Sequence, residues 1–341
     1  MGMALTSIAW QVRSQAGEVP PHHVEGGFRN IHIDGKSRRG DFFRWRFGLG
    51  PKEESALQAD TVPPYQPQVM APDLNSLNHA DPGTIQITWI GHSTFLIQVA
   101  GLNILTDPIF SDRASPFSFV GPRRLVSPPM RQEDLPPIQA TLISHNHYDH
   151  LDKATVSKLG RLVKFFVPLG LSRWFQETGL DNVTELDWWQ SAELGSIRVH
   201  CVPAQHFSMR TPFDANKVLW AGWVLSTPAG NIFFAGDTGY SPDFLEIGQR
   251  LGPMRLALIP MGGYMPRWFM KPMHLNPQEA VLVHQDVRSR QSIGIHWGTF
   301  KLTEESLAEP PLFLQKALQE KHISPEKFIV LRFGETRILQ P

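Results

Sequence analysis

Residues 142–152, which read LISHNHYDHLD, place three histidines and one aspartate within six residues, directly after an apolar run. In an extended turn, side chains two positions apart point the same way, so His145 and His147 can bind one metal ion together. Asp149 and His150 lie further along the loop and face a second ion. Imidazole nitrogens mixed with a carboxylate oxygen suit zinc, with iron or manganese as alternatives. The spacing predicts a binuclear metal site, and the competing interpretation is a histidine-rich polar surface loop.

The size and charge of the chain narrow the classes of function. Its 341 residues suffice for one large domain or two ordinary ones with a sizeable core. Lysine and arginine together number 32, as do aspartate and glutamate, so the formal net charge is zero. Because no basic field exists to gather a polyanion, we expect no nucleic-acid partner.

The single cysteine, Cys201, lies in the apolar stretch 197–202. A disulfide framework and a cysteine-rich metal site are therefore excluded, and Cys201 is expected in a buried strand. No apolar segment approaches the ~20 residues that span a bilayer, and no basic N-terminal region precedes a hydrophobic run. We expect a soluble, cytoplasmic protein without a signal peptide, although Met1, Gly2 and Thr6 match a short myristoylation pattern.

The chain divides into an N-terminal arm and one larger domain. Residues 1–83 are broken by proline and glycine and carry no long helical period, which predicts an arm packed on the core. Residues 84–341 form the predicted domain. Apolar and polar residues alternate in 85–89 and again in 95–99, on either side of a short turn. This alternation predicts a β-hairpin.

Short apolar runs with strand character follow the hairpin, and helix signals lie between several of them. The runs are 104–105, 140–144, 163–167, 197–202, 232–235, 256–259 and 293–295. The clearest helix start is Asn276, Pro277 and Glu279, which supply an N-cap, a proline at the first helical position and an acid at the third. Strands that alternate with helices predict a layered α/β fold.

Three further candidate ligands, His206, Asp237 and His296, each follow one of these predicted strands. Open α/β sheets assemble their sites from loops at the C-terminal ends of strands, so these side chains are expected to meet the histidine-rich loop. Taken alone, a histidine after a strand is more often a hydrogen-bonded structural residue than a ligand. Asp237 is the expected bridge, because the two oxygens of a carboxylate can hold ions ~3.5 to 4 Å apart.

With these residues assembled, the sequence from about Thr88 onward resembles the metallo-β-lactamase superfamily. It resembles most the branch of N-acyl-phosphatidylethanolamine-hydrolysing phospholipases D. The matching segments are TDPIFS (106–111), LISHNHYDHLD (142–152), ELDWW (185–189), NKVLW (216–220), FAGDTGY (234–240), PRWFMK (266–271) and IHWGTF (295–300). The H-x-H-x-D-H run indicates only the superfamily, whereas ELDWW, PRWFMK and IHWGTF favour the phospholipase branch.

The resemblance implies a four-layer αββα sandwich, with the N-terminal arm added, and a complete set of seven ligands for two zinc ions. It places His145, His147 and His206 on one ion, Asp149, His150 and His296 on the other, and Asp237 between them. The implied reaction is metal-activated hydrolysis of N-acyl-phosphatidylethanolamine to N-acylethanolamine and phosphatidate. The implied partners are a phospholipid, the membrane surface that carries it and a second copy of the chain in a homodimer.

Three residues beside the metal ligands are also considered. Asp107 either orients a ligating imidazole, as a catalytic support, or forms a turn before Pro108. Asp149 is predicted to be both a metal ligand and a catalytic residue. The resemblance implies that His274 matters for activity, through substrate positioning or proton transfer. His92 lies in the turn of the predicted hairpin and either approaches the site or caps the turn.

An aromatic loop offers a candidate surface for the lipid. Tyr264, Trp268 and Phe269 lie close to Arg267 and could enter the membrane interface, with the cation at the lipid phosphates. The alternative is a loop packed over the core. For the aromatic residues at 174–175 and 188–189, core packing is the preferred interpretation.

Two other functions compete with phospholipid hydrolysis. The first is a soluble metal-dependent hydrolase of a small phosphoester or lactone, which would turn over without vesicles or detergent. The second is a non-catalytic binding protein on the same scaffold, which would require the loss of a ligand or a closed pocket. Because all seven ligand positions are filled, the second alternative is disfavoured.

Overall fold

The computed structural model describes residues 19–33, 39–55, 57 and 61–340. The myristoylation pattern at the N-terminus lies outside these residues. The first element among the described residues is a small antiparallel hairpin, β1 (His23–Val24) and β2 (Gly27–Phe28).

The first of two seven-stranded sheets contains the predicted hairpin. Its strands, in spatial order, are β16 (Thr336–Leu339), β3 (Ile85–Gly91), β4 (Thr94–Val99), β5 (Leu102–Thr106), β6 (Ala140–Leu142), β7 (Lys164–Pro168) and β8 (Val183–Leu186). The pairings from β16 to β5 are antiparallel, and those from β5 to β8 are parallel. β3 pairs with β4, which confirms the hairpin predicted from alternation.

The second sheet repeats this mixed pattern. Its strands, in spatial order, are β15 (Phe328–Ile329), β14 (Ser292–Ile295), β13 (Met254–Pro260), β12 (Gly230–Phe234), β11 (Gly222–Thr227), β10 (Ile197–Val202) and β9 (Ser191–Leu194). The pairings from β15 to β12 are parallel, and those from β12 to β9 are antiparallel. The parallel strands of each sheet end at the candidate site, as described below.

The largest apolar core lies between the two sheets and combines inward side chains of both. Trp89 of β3 stacks on Phe333, with ring centroids 4.2 Å apart. Trp223 of β11 is fully buried in the same core, and its indole nitrogen donates to the carbonyl of Ile143 in the first sheet. Cys201 is fully buried in β10, which confirms the prediction for it.

Helices cover the outer faces of both sheets. They are α1 (Arg39–Arg46), α2 (Leu74–Asn78), α3 (Lys153–Leu159), α4 (Ser172–Glu177), α5 (Asp243–Leu251), α6 (Arg267–Met270), α7 (Pro277–Asp286) and α8 (Glu309–Glu320). Side chains of α2, α3 and α4 pack on the first sheet, and those of α5, α7 and α8 pack on the second. The resulting αββα arrangement confirms the predicted fold.

Helix α7 begins where the sequence predicts. Asn276 accepts a hydrogen bond from the Glu279 amide at 2.8 Å, and the Glu279 carboxylate accepts from the Asn276 amide at 3.1 Å. Pro277 occupies the first helical position, where a missing N–H costs nothing. This reciprocal cap fixes the end of the loop that carries His274.

The segment before residue 84 contacts the core at several points. It contains the short helices α1 and α2, and Leu77 of α2 is buried against the first sheet. A domain boundary at residue 83 stays a prediction. The aromatic side chains at 174–175 and 188–189 pack against the core, as preferred from the sequence. Within the described ranges, the structure has no helix both long enough and apolar enough to cross a membrane.

Candidate metal centre

The predicted ligands come together at the C-terminal ends of strands from both sheets. β6 ends at Leu142, just before the loop that carries His145, His147, Asp149 and His150. From the second sheet, β10, β12 and β14 lead to the remaining three, His206, Asp237 and His296. Loops from the two sheets therefore build one site, in the manner expected of α/β folds.

Three imidazoles form the first group of ligand atoms. His145 Nε2 lies 2.8 Å from His147 Nδ1, and His206 Nε2 lies 3.2 Å from the same His147 atom. The two histidines two positions apart thus face a common point, as the spacing predicts. His206 closes this group from the other sheet.

The second group is built around the carboxylate of Asp149. Its Oδ2 lies 3.4 Å from His150 Nε2 and 3.6 Å from His296 Nε2. His92 Nε2 approaches the same oxygen at 3.1 Å, so it lies at the site rather than only capping its turn. The ligand atoms of these four residues could surround one ion.

Asp237 stands between the two groups. Its Oδ2 is 3.1 Å from His296 Nε2 and 3.2 Å from His150 Nε2 in the second group. The same oxygen lies 3.8 Å from His206 Nε2 in the first group. This position suits the bridging role that the sequence predicts for Asp237.

Buried atoms without hydrogen-bond partners show that the site fits a metal. Among the described residues, His150 Nε2, His296 Nε2 and Asp237 Oδ1 are buried at the centre and make no hydrogen bond. An unpaired buried polar atom costs free energy, whereas a cation bound between these atoms would satisfy them. Nitrogen and carboxylate oxygen are also the donor types that zinc prefers.

Burial tunes the first group toward metal binding. It lowers the pKa of His145 well below the ordinary value, that of His147 to about 4 and that of His206 to about 3. The imidazoles are therefore neutral near pH 7, which leaves a lone pair free for an ion.

The carboxylates set the electrostatics of the second group. Burial alone would raise the pKa of Asp149 and of Asp237, but adjacent His150 and His296 hold both well below the ordinary value. Conversely, burial alone would lower the pKa of His150, but the two carboxylates raise it. The two carboxylates stay ionised and can neutralise a bound cation.

Asp107 supports two of the predicted ligands from behind. Its Oδ2 accepts a hydrogen bond from His150 Nδ1 at 2.7 Å, and its Oδ1 accepts from the Ser144 amide at 2.7 Å. The Ser144 hydroxyl lies 2.8 Å from His145 Nδ1. Asp107 is fully buried, so the contact with a ligating imidazole agrees with the orienting alternative. Its contribution to activity stays a prediction.

Backbone carbonyls fix two other imidazoles. His206 Nδ1 lies 3.0 Å from the Met273 carbonyl, and His296 Nδ1 lies 3.3 Å from the Gly262 carbonyl. A hydrogen bond at one ring nitrogen orients the other nitrogen toward the ion.

His274 lies at the edge of the centre. Its Nδ1 is buried, has no hydrogen-bond partner among the described residues and lies 3.9 Å from Asp237 Oδ2. A Cβ at Gly263, where φ is +81°, would lie 3.2 Å from this nitrogen, so glycine leaves space there. Glu305 holds the loop by accepting from the Gly263 amide at 2.7 Å. A catalytic role of His274 stays a prediction.

The predicted lipid-contacting loop is packed into the protein. Tyr264 is 1 % exposed and donates to Glu309 at 2.6 Å, and Phe269 is 7 % exposed. Both side chains are buried, which favours the packed-loop alternative, and a membrane contact by this loop stays a prediction. Arg267 pairs with Glu279 at 2.7 Å and donates to the His274 carbonyl at 2.9 Å. Trp268 is half-buried, and the Arg44 guanidinium lies over its ring.

Two site residues escaped the sequence interpretation. His92 was left open because a lone histidine in a turn has no ligand spacing, although its place in the hairpin between two predicted strands is a signal. Asn30 was missed altogether. Its side chain brackets His206, accepting from the His206 amide at 3.1 Å and donating to its carbonyl at 2.7 Å.

Comparison with known proteins defines the class. The Beta-lactamase superfamily domain matches residues 102–297. A metallo hydrolase from Ignicoccus hospitalis, Igni18, superposes with a TM-score of 0.58 at 22% identity, over 76% of this chain and 99% of that chain. The fold and the superfamily match define a metal-dependent hydrolase of the metallo-β-lactamase fold.

Sequence relatives define the family more narrowly. The N-acyl-phosphatidylethanolamine-hydrolyzing phospholipase D 1 of Caenorhabditis elegans is 43% identical over 272 residues, which cover 75% of this chain and 76% of the relative. The mitochondrial N-acyl-phosphatidylethanolamine-hydrolyzing phospholipase D of Saccharomyces cerevisiae is 37% identical, over 77% of this chain and 57% of the relative. The chain therefore belongs to the N-acyl-phosphatidylethanolamine-hydrolysing phospholipase D family of the metallo-β-lactamase superfamily.

Proposed function

We propose that the chain is a dinuclear zinc phosphodiesterase of phospholipase D type. It hydrolyses N-acyl-phosphatidylethanolamine to N-acylethanolamine and phosphatidate. The observation that carries the proposal is the meeting of seven ligand side chains in two groups, with Asp237 between them. The substrate class is supported by the relative from C. elegans, which is named for this hydrolysis.

The two groups would hold the ions as the resemblance implies. The first ion would be held by His145, His147 and His206, and the second by Asp149, His150 and His296, with Asp237 shared. His92 is a further donor on the second side. Zinc ions bound there would acidify a water molecule and neutralise charge on the phosphodiester.

The surrounding residues position this chemistry. Asp107 holds His150 through Nδ1 and reaches His145 through Ser144, so the imidazoles stay aligned without reorganising. His274 presents an unpartnered Nδ1 toward the centre and either orients the phosphodiester or carries a proton to the leaving alkoxide. Arg267 donates to the His274 carbonyl and so fixes the backbone of His274.

Helix α1 supplies the membrane contact in this proposal. Phe43, Phe47 and Leu49, in α1 and the turn after it, are 59 %, 70 % and 70 % exposed. Arg44 and Arg46 lie among them, which adds cations for anionic lipid. The Trp45 and Phe269 rings, 5.4 Å apart, hold α1 against α6, the helix just before His274. The aromatic surface therefore lies on the side of the molecule where a lipid headgroup would enter.

A product assay tests the proposal. N-acyl-phosphatidylethanolamine vesicles and a panel of soluble phosphodiesters and lactones are given to wild type, to Asp149→Asn and to His79→Gln, a control at an exposed histidine that bonds only within α2. We expect phosphatidate release by wild type and the control, and its loss in Asp149→Asn. Activity on the soluble panel alone would reject the lipid substrate and favour the small-substrate hydrolase. Homodimerisation and a cytoplasmic location stay predictions.

A further inference from the structure

A second group of metal-ligand atoms lies outside the candidate metal centre. His22, just before β1, and His23, its first residue, face Asp187, which follows β8. His22 Nε2 lies 2.7 Å from Asp187 Oδ1, and His23 Nε2 lies 2.8 Å from Asp187 Oδ2. These ligand atoms all lie within 4.8 Å of one another. We propose that His22, His23 and Asp187 form a separate zinc site that fixes the N-terminal hairpin to the core.

The donor set is one that zinc accepts. Two imidazoles and one carboxylate occur together in protein zinc sites, with a water molecule in the remaining position. His23 is partly exposed, so water can reach that position.

The three side chains are held in place by their surroundings. The Trp188 amide donates to Asp187 Oδ1 at 2.8 Å, which orients the carboxylate. The His22 ring stacks on the Trp188 ring, with centroids 4.2 Å apart. Support of this kind behind the ligands reduces the cost of organising them when an ion binds.

The position of this site gives it a structural consequence. The hairpin of β1 and β2 continues directly into Asn30, which bonds both backbone groups of His206. The Phe28 amide donates to the Asn216 carbonyl at 2.8 Å, which attaches β2 to the second half of the chain. An ion at His22, His23 and Asp187 would therefore fasten the segment that positions one ligand of the catalytic centre.

The competing interpretation is a hydrogen-bonded triad with no ion. In that case each imidazole donates a proton to one carboxylate oxygen, and no further partner is needed. His23→Gln separates the two, because the glutamine amide can still donate to Asp187 but does not replace imidazole as a zinc ligand. His32→Gln is the matched control. His32 lies in the same segment, and its Nε2 contacts a single carboxylate, that of Asp243, at 3.1 Å.

The zinc content of the protein distinguishes a zinc site from a hydrogen-bonded triad without an ion. Wild type, H23Q and H32Q are dialysed against the same buffered free zinc, and zinc per chain is measured by elemental analysis. We expect H23Q to hold one zinc ion fewer per chain than wild type and H32Q. Equal zinc in all three proteins would overturn the proposal. If H23Q fails to fold, Asp187→Asn, which keeps an oxygen for the Trp188 amide, replaces it in the same measurement.

Hydrogen exchange of residues 19–33 provides a second readout. Zinc should slow exchange of this segment in wild type and in H32Q, and should leave it unchanged in H23Q. Exchange that responds equally to zinc in all three proteins would overturn the proposal. Both readouts compare variants and require no substrate, so their failure is distinguishable from failure of the proposed phospholipase activity.

Discussion

Asp107 links two predicted ligands of the candidate metal centre through one buried carboxylate. It accepts from His150 Nδ1 and from Ser144, whose hydroxyl contacts His145. Asp107→Asn removes the charge that orients the imidazole. We predict a zinc affinity lower by about 10- to 100-fold, measured by competition with a chromophoric chelator.

The control for Asp107→Asn is Asp134→Asn, at a partly exposed carboxylate that pairs with Arg131 far from the predicted ligands. The affinity of this control should equal that of wild type. Unchanged zinc affinity in Asp107→Asn itself would show that Asp107 is only a turn residue.

A substitution at Arg267 distinguishes two roles of this side chain, one inside the protein beside His274 and one at the lipid surface. Its guanidinium bonds Glu279 and the His274 carbonyl at once, a fork that lysine cannot reproduce. For Arg267→Lys we predict a kcat lower by about 10- to 100-fold, since a displaced His274 is misaligned, with unchanged vesicle binding. Weaker vesicle binding with normal kcat would restore the interfacial interpretation of this residue.

At the level of single residues, the sequence predicts which histidines and aspartates meet at the candidate site better than it predicts the burial of aromatic side chains. The H-x-H-x-D-H run has a spacing that follows from backbone geometry, so the grouping of His145 with His147 could be predicted. The burial of Tyr264 and Phe269 could not, because an aromatic loop satisfies a core and a membrane interface equally well. Their environment depends on α1 and α8, which pack on them from distant parts of the chain.

Helix α1 is the element that the proposed function places on the membrane. Replacing Phe43 and Phe47 together with serine removes exposed apolar surface without opening a core cavity. We predict weaker co-sedimentation with anionic vesicles and a lower rate on vesicle substrate, with an unchanged rate on a detergent-dispersed one.

Leu162→Ser is the control for the α1 variant. Leu162 is almost fully exposed and precedes β7, at the end of the first sheet opposite the metal centre. Equal vesicle binding by wild type and both variants would remove α1 from the membrane interface.

Helices α5 and α7 meet at a glycine. A Cβ at Gly248 of α5 would lie 2.0 Å from the Asp286 carbonyl oxygen of α7, so the helices must separate to admit it. We predict that Gly248→Ala lowers the free energy of unfolding by about 1–3 kcal/mol, measured by urea denaturation at fixed zinc. Gly40→Ala in α1, where no atom lies within 4 Å, should cause no loss. Equal stability of the two variants would contradict this account of the contact.

Local signals predict elements, but not all of the pairings between them. The β3–β4 hairpin and the capping box of α7 are encoded by adjacent residues, so both could be predicted. The pairing of β16 with β3 joins strands more than two hundred residues apart and leaves no local pattern. Helix α1 could not be predicted for a different reason. Its sequence, RGDFFRWR, lacks the apolar period of a core-facing helix.

Across the whole molecule, the metal centre connects the two halves of the sandwich. The first sheet supplies the histidine-rich loop after β6, and the second supplies His206, Asp237 and His296. The resemblance predicted the αββα fold correctly, and the assignment of the residues at these strand ends as metal ligands stays a prediction. The attachment of the N-terminal segment could not be predicted, because Asp187 is more than 160 residues from the adjacent His22 and His23, and no known spacing relates them.

Stepwise zinc loading tests the central claim most directly. Metal-free wild-type protein and H23Q, which lacks the proposed additional site, are titrated with zinc in parallel, with bound ions counted on H23Q, while phosphatidate release from N-acyl-phosphatidylethanolamine vesicles is measured. We predict no release without zinc and a rise that saturates at two bound ions per chain. Phosphatidate release by the metal-free protein, or its absence at every zinc loading, would contradict a dinuclear zinc phospholipase D.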